Sequence, residues 1–412
     1  MRGLRACSDR ELPVPEVESR VNGDAREPIF IFPALAWTRL NKSTDPRPFP
    51  LSAANASLWY NARAALWNGL QRLRLRPGDR ILVPAYACGS EIDVLLEYGL
   101  ILDWYTITAE LAPDLERLER LESLYPQRAA ALFVIHYFGF PQPLDEILAF
   151  TRRHQMLLIE DTAHGLCSKD SSGRPLGSRG DMSVFSLYKT LPLADGGALL
   201  TNARDPAQSS APRHPAWRPT IGQLRLLLQR TLGQDYPRLG KLLATRLPRP
   251  WRRLAARAAD TAATSSSGVA NPVFERARLD WQMSDVSTWL LRRVGTHNIS
   301  ALRRANYRRL AEQLPSGPHL RPLFAHLPEG TCPLMFPVLE GVETSGLRPW
   351  LRRHAIECHG FGFEHDLIPT EGFGWEATLK ARVVCLPVHQ DLTPVQIDFM
   401  AATINQWSAQ QR

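Results

Sequence analysis

Two stretches of this chain end in side chains that could do chemistry together. In one, Leu157-Leu158-Ile159 runs into Glu160, Asp161, Thr162, Ala163 and His164; in the other, Met182-Ser183-Val184-Phe185-Ser186-Leu187-Tyr188 runs into Lys189. An apolar run that stops at polar residues predicts a buried strand delivering those groups at its C-terminal edge, where open α/β sheets bind their ligands. An acid and a primary amine brought to one crevice suit pyridoxal phosphate (PLP), which needs an amine for its covalent link and an acid partner for its pyridine nitrogen. The same two residues could equally make a plain buried ion pair.

Positioning such a pair requires a scaffold, and the flanking pattern supplies one. Strands are expected at 80–83, 100–105 and 129–135, and helices at 57–74, 91–98, 112–121 and 144–154. This alternation predicts an α/β fold with a mostly parallel sheet covered on both faces. Asp195-Gly196-Gly197 predicts a tight turn into 198–201, bringing backbone close to the lysine arm. Further on, a long helix is expected at 287–314, then a strand at 335–339 and helices at 347–354 and 394–407.

Several motifs occur together in one order: Arg76-Pro77-Gly78-Asp79-Arg80, Val134-Ile135-His136-Tyr137-Phe138-Gly139, Ile159-Glu160-Asp161-Thr162-Ala163-His164, Gly177-Ser178-x-Gly180-Asp181, Phe185-Ser186-x-x-Lys189, and Leu386-Pro387-Val388-His389. Together they resemble the DegT/StrS family of PLP-dependent sugar aminotransferases, from about residue 50 to the C-terminus with one interruption. The resemblance implies the aspartate-aminotransferase-like fold type I, with a large sheet domain and a smaller C-terminal α/β domain. It implies that Lys189 carries the cofactor, that Asp161 pairs with the pyridine nitrogen, and that His164 contacts the ring or its oxygen. Ser186 would give its hydroxyl to the phosphate. Ala62 and Arg63 stand where the family has its phosphate loop, at a helix start able to hold an anion.

This chain departs from the family pattern at two places. The usual stacking position, four residues after Pro84, holds Cys88, which leaves Tyr86 as the nearest aromatic. Asp280-Trp281-Gln282-Met283-Ser284 resembles a segment that reaches across a homodimer to the partner's cofactor phosphate, with Gln282 where arginine is usual. The implied activity is transfer of an amino group, from glutamate, to a nucleotide-linked keto sugar in surface or exopolysaccharide synthesis. Two alternatives stay open: a PLP enzyme of other chemistry (a sugar dehydratase, or amination of a non-sugar ketone), and a binding or regulatory protein that keeps the fold without turnover. Dehydratase relatives usually have histidine at the catalytic lysine, so Lys189 favours transamination.

The 412 residues, 44% hydrophobic and 22% charged, are those of a globular chain of more than one domain. The expected organisation is an arm at 1–48, a large PLP-binding domain at 49–206, a basic helical insertion at 207–270, a return segment and interdomain helix at 271–314, and a small domain at 315–412. The formal net charge of +8 belongs to the insertion, where Arg213, Arg218, Arg225, Arg230, Arg238, Lys241, Arg246, Arg249, Arg252, Arg253 and Arg257 face only Asp235 and Asp260. Charge confined in this way argues against nucleic-acid binding by the catalytic body. A solvated helical insertion is one reading of 207–260; a peripheral membrane contact, a cover for a neighbouring subunit and a diphosphate site are others. The absence of a long apolar run or a leader-like start makes a cytoplasmic location the expectation. The six scattered cysteines suggest free thiols, and no histidine or cysteine spacing fits a common metal site. His359 and His365, with His136, are therefore expected on the substrate side.

Overall fold

A computed structural model describes residues 28–35, 45–203, 211–235, 275–314, 316–342, 344, 346–362, 368 and 371–411. Among them the large sheet has seven strands: β1 (Ala56–Trp59), β2 (Arg80–Pro84), β3 (Ile101–Tyr105), β4 (Ala131–Ile135), β5 (Leu157–Asp161), β6 (Met182–Ser186) and β7 (Gly197–Thr201). Their order is β1-β7-β6-β5-β4-β2-β3. The pairs from β3 to β6 are parallel, whereas β7 runs antiparallel to both β6 and β1. Helices α1 (Ala62–Arg72), α2 (Ser90–Glu97), α3 (Leu115–Ser123) and α4 (Leu144–His154) alternate with the strands. Strands β2, β4, β6 and β7 are buried along their whole length, as apolar runs covered on both faces should be. Because β3 lies on one side of β2 and β4 on the other, the order reverses there, and the loops after β2 and β4 flank a crevice.

The first expected helix, 57–74, is a strand followed by a helix. Leu58 pairs with Ala198 across β7, so residues 56–59 form the sheet edge. Asn61, extended at φ −156°, ends that strand and accepts the N–H of Ala64 at 3.0 Å, which starts α1. A short polar side chain that caps a helix sets its start more sharply than apolar spacing does.

Beyond the sheet come α5 (Trp217–Asp235), α6 (Asp285–Leu291) and α7 (Ile299–Gln313). The expected single helix at 287–314 is thus two helices. Asp45 Oδ2 accepts the N–H groups of Thr296 and His297, both at 3.0 Å, and Asn298 takes φ 64°. These contacts hold the break open. The small domain has an antiparallel sheet, β10-β9-β8, made of β8 (Leu320–Pro322), β9 (Met335–Glu340) and β10 (Val383–Pro387). It is covered by α8 (Leu347–Arg353), α9 (Gly374–Arg382) and α10 (Pro394–Ala409).

Residues 28–35, part of the expected arm, pack within their own chain. Ile29 exchanges hydrogen bonds with Ala355 and Glu357 beside the small domain, and Leu35 donates its N–H to Thr231 Oγ1 in α5 at 3.0 Å. Leu227 and Thr231 of α5 are buried, while Trp217 and Ile221 are 66% and 53% exposed. The insertion's remaining residues, 207–210 and 236–270, lie outside the described residues. Among those described, no helix is long and apolar enough to cross a membrane.

The two domains are joined beside the lysine. The fully buried Arg303 of α7 donates to Gln390 Oε1 at 2.8 Å, to the carbonyls of Pro333 and Leu334, and at 3.5 Å to that of Thr190. Gln390 Nε2 adds a 3.0 Å bond to the same Thr190 carbonyl. A planar fork with several donors suits this bracing of loop backbone.

Candidate active site

Asp161, His164 and Lys189 come together at the C-terminal edges of β5 and β6. Lys189 Nζ lies 3.1 Å from His164 Nε2. On the other side of the imidazole, Nδ1 accepts the backbone N–H of Phe138 at 3.1 Å. An acceptor nitrogen carries no proton, so the neutral ring holds its proton on Nε2, the side that faces Lys189. Burial, and then the charge of Lys189, hold the His164 pKa well below the usual histidine range, which keeps the ring neutral. Asp161 is 9% exposed, and its Oδ1 accepts the N–H of Ala163 at 2.9 Å. Burial raises its pKa above the usual aspartate range, while the Ala163 N–H and Lys189 work against that rise. A carboxyl so placed gains its charge fully when a cationic N–H arrives beside it.

An anion cradle adjoins this group. Ser186, three residues before Lys189, is 2% exposed and its Oγ has no hydrogen-bond partner among the described residues. Ser186 is the register partner of Gly197 across β6 and β7. A Cβ on Gly197 would lie 2.2 Å from the Asn61 carbonyl carbon and 2.6 Å from the Ala62 nitrogen, so only glycine lets the start of α1 approach so closely. A buried hydroxyl left unsatisfied costs stability, and a helix N-terminus attracts negative charge. The residues present therefore fit the phosphate of PLP. Arg63 is half-buried at the same helix start.

The loop after β2 contributes residues that the sequence reading passed over. The Cys88 N–H donates to Glu91 Oε1 at 2.6 Å, and Ser90 Oγ donates to Glu91 Oε2 at 3.2 Å. Glu91 is 6% exposed, and its carboxyl is within electrostatic reach of Asp161 and Lys189. Burial first, and the charge of Asp161 second, push its pKa up to about 7. A carboxyl raised on folding contributes stability that is fully present below its unfolded pKa, near 4.5, and lost as the pH rises through about 7. Glu91→Gln keeps the shape without the charge. It is expected to match the native chain at about pH 4 and to exceed its unfolding free energy by up to about 3 kcal/mol at about pH 8. Denaturant titrations at both pH values measure this, and an unchanged difference between them would contradict the placement. The available signal was a glutamate in the first turn of an otherwise apolar helix.

Other expected site residues stand elsewhere. Tyr86 does not offer an open ring: it is fully buried, stacked on Tyr137 at 5.4 Å and met edge-on by Phe361 at 5.1 Å. His136 is not on a substrate surface. It is fully buried, with Nε2 donating to Glu160 Oε2 at 2.8 Å and Nδ1 accepting the Gln142 N–H. Glu160 also accepts the N–H groups of Gly177, Arg179 and Gly180, so the pair pins the turn that leads into β6. Burial opposes the Glu160 charge, yet His136 and these amides together hold its pKa below the usual range. Gln282 bridges to Trp59 at the sheet edge, and its side-chain amide lies 2.7 Å from His214 Nδ1. His359 pairs with Glu357 at 3.4 Å and stacks on Phe32. His365 lies outside the described residues. Among the described residues, no cluster of His, Cys, Asp and Glu is arranged to hold a metal.

Several known proteins are similar to this chain. Residues 52–211 match the model of the DegT/DnrJ/EryC1/StrS aminotransferase family. A GDP-perosamine synthase from Caulobacter vibrioides is 28% identical over 174 residues, 39% of this chain and 46% of that protein. A dTDP-4-dehydro-2,6-dideoxy-D-glucose 3-dehydratase from Saccharopolyspora spinosa is 28% identical over 144 residues, 34% of this chain and 30% of that protein. The matched stretch thus spans less than half of either relative's length. The crystal structure of the aminotransferase TlmJ from Streptoalloteichus hindustanus superposes with a TM-score of 0.60 at 18% identity, covering 87% of both chains, and so shows the fold. Residues 52–211 thus resemble the DegT/DnrJ/EryC1/StrS aminotransferases, whose members depend on PLP, and along most of its length the chain shares the fold of a solved aminotransferase.

Proposed function

We propose that this protein is a PLP-dependent aminotransferase that takes an amino group from L-glutamate and places it on a nucleotide-linked keto sugar. The observation that carries the reading is the assembly of Lys189, His164 and Asp161 at one sheet edge, beside the cradle formed by Ser186, Gly197 and the start of α1. When bound, the cofactor would supply a pyridine ring able to accept the electrons released as a C–H bond beside nitrogen breaks. Lys189 would hold it covalently and then, as a free amine, take and return the substrate proton. His164, with its proton on Nε2, orients that amine. Asp161 keeps the ring nitrogen protonated. Ser186 and the first amides of α1 at Ala62 and Arg63 hold the phosphate, with the Arg63 guanidinium as a second cation.

Because Tyr86 is enclosed by other rings, the Cys88 loop supplies the wall on the β2 side. Gln282, held against Trp59 and His214 at the sheet edge, serves a second copy in a homodimer. His359, beside Glu357, faces the substrate side. The family match and the GDP-perosamine synthase relative support a sugar as acceptor. Manufacture of surface or extracellular polysaccharide in the cytoplasm is the setting we infer. The basic insertion remains a helical cover whose exposed Trp217 and Ile221 suit a membrane or a partner surface.

Ser186→Ala is expected to weaken PLP binding about tenfold, the loss of one hydrogen bond to a charged group. Absorbance titration measures this, and unchanged affinity would remove Ser186 from the phosphate site. The reading as a whole is tested with 15N-labelled L-glutamate and a nucleotide-linked keto sugar. A sugar product carrying the label supports it. A deoxygenated product without nitrogen would instead favour the dehydratase reading suggested by the Saccharopolyspora spinosa relative, and no product with any keto sugar would overturn both.

A further inference from the structure

We propose that Phe361, a residue of the small domain, positions His164 and through it Lys189. The catalytic meaning of this inference rests on the proposed function; its geometry does not. The His164 imidazole packs against two rings that also meet each other. Phe138 stacks on one side at 5.9 Å and 24°, and Phe361 meets it nearly edge-on at 5.2 Å and 69°. Phe361 also meets Phe138 at 5.4 Å, Tyr86 at 5.1 Å and Tyr137 at 5.8 Å, each at a steep angle. Its four ring partners come from the loops after β2, β4 and β5, so one side chain of the small domain closes three strand edges of the large one. Edge-to-face contacts of this kind carry real orientational preference, and several of them act here on one ring.

The backbone around Phe361 is built to hold it there. His359 and Cys385 exchange both of their backbone hydrogen bonds, at 2.7 and 3.3 Å. Gly362 sits at φ 90°, and a Cβ there would lie 2.8 Å from Tyr86 Cε2, so the chain passes this ring only as glycine. Of the His164 contacts, the Phe138 N–H fixes Nδ1 and Lys189 is the charged group facing Nε2. Phe361 packs edge-on against the same ring, which is 5% exposed. Truncating it admits solvent, gives the other tautomer and the cation a partner, and loosens the aim of Nε2 at the amine.

The test uses 15N-histidine NMR on the full chain without cofactor, with His164 assigned by His164→Asn. Native protein and Phe361→Tyr are expected to show one neutral tautomer, protonated on Nε2, from about pH 6 to about pH 8. Phe361→Ala is expected to show mixed tautomers or a ring that titrates in that range, with the His136 signals unchanged as the check of folding. If the alanine variant does not fold, Phe361→Leu carries the same expectation. A His164 spectrum identical to native in the folded variant would overturn the proposal. With PLP bound, Phe361→Ala is expected to speed cofactor release about tenfold in the native background and less than about twofold beside His164→Ala; equal effects in both backgrounds would also overturn it. Failure of the native chain to bind PLP would sink the functional reading, and the tautomer measurement would still decide the positioning.

Discussion

Lys189→Ala is expected to lower amino transfer by more than about a thousandfold while leaving the fold intact, because it removes both the covalent anchor and the group that moves the substrate proton. Lys189 is half-buried and its amine meets the His164 imidazole at the C-terminal edge of β6, so little packing depends on it. Thermal denaturation should show a small change, and the visible absorption of the PLP-loaded protein should vanish. Lys189→Arg should not restore either, since a guanidinium keeps the charge but is no nucleophile at neutral pH. Turnover by the alanine variant within tenfold of native would remove Lys189 from the mechanism.

Asp161→Asn is expected to slow transfer by about a hundredfold to ten-thousandfold, the range typical for removing a positioned acid or base. The same change should not destabilise the cofactor-free protein. Burial raises the Asp161 pKa, so its charge opposes folding once the pH rises through the folded-state value, and asparagine relieves that cost above it. Opposite effects on turnover and on cofactor-free stability are the signature of a residue placed for function. Melting curves with and without PLP measure this: native protein should gain more from the cofactor than the variant does. Equal gains, with equal turnover, would mean that Asp161 never meets the ring nitrogen.

The strand edges were legible in the sequence because a buried parallel strand is an apolar run with an abrupt polar end, and Asp161, His164, Ser186 and Lys189 all sit at such ends. Local side-chain bonding was not legible. Asn61 converts the start of an expected helix into a strand and a cap, and Asp45, far away in the chain, breaks another at 296–298. Long-range pairing also hid His136, whose partner Glu160 lies on the next strand and turns an apparent substrate histidine into a core tie. Glu91 and Phe361 escaped for the converse reason. A glutamate in a helix's first turn ordinarily faces water, and a phenylalanine between glycines in a small-domain loop carries no periodic signal. Tertiary placement alone brings them to the lysine.

The most direct measurement is the absorption spectrum of the native chain with PLP, before and after L-glutamate, with release of 2-oxoglutarate followed in parallel. The account predicts a visible band absent from Lys189→Ala, bleached by glutamate, with about one 2-oxoglutarate formed per site. A native chain that gains no such band, or whose band glutamate leaves unchanged with no keto acid released, would contradict the claim that Lys189, Asp161 and the Ser186 cradle form a glutamate-dependent transaminase site.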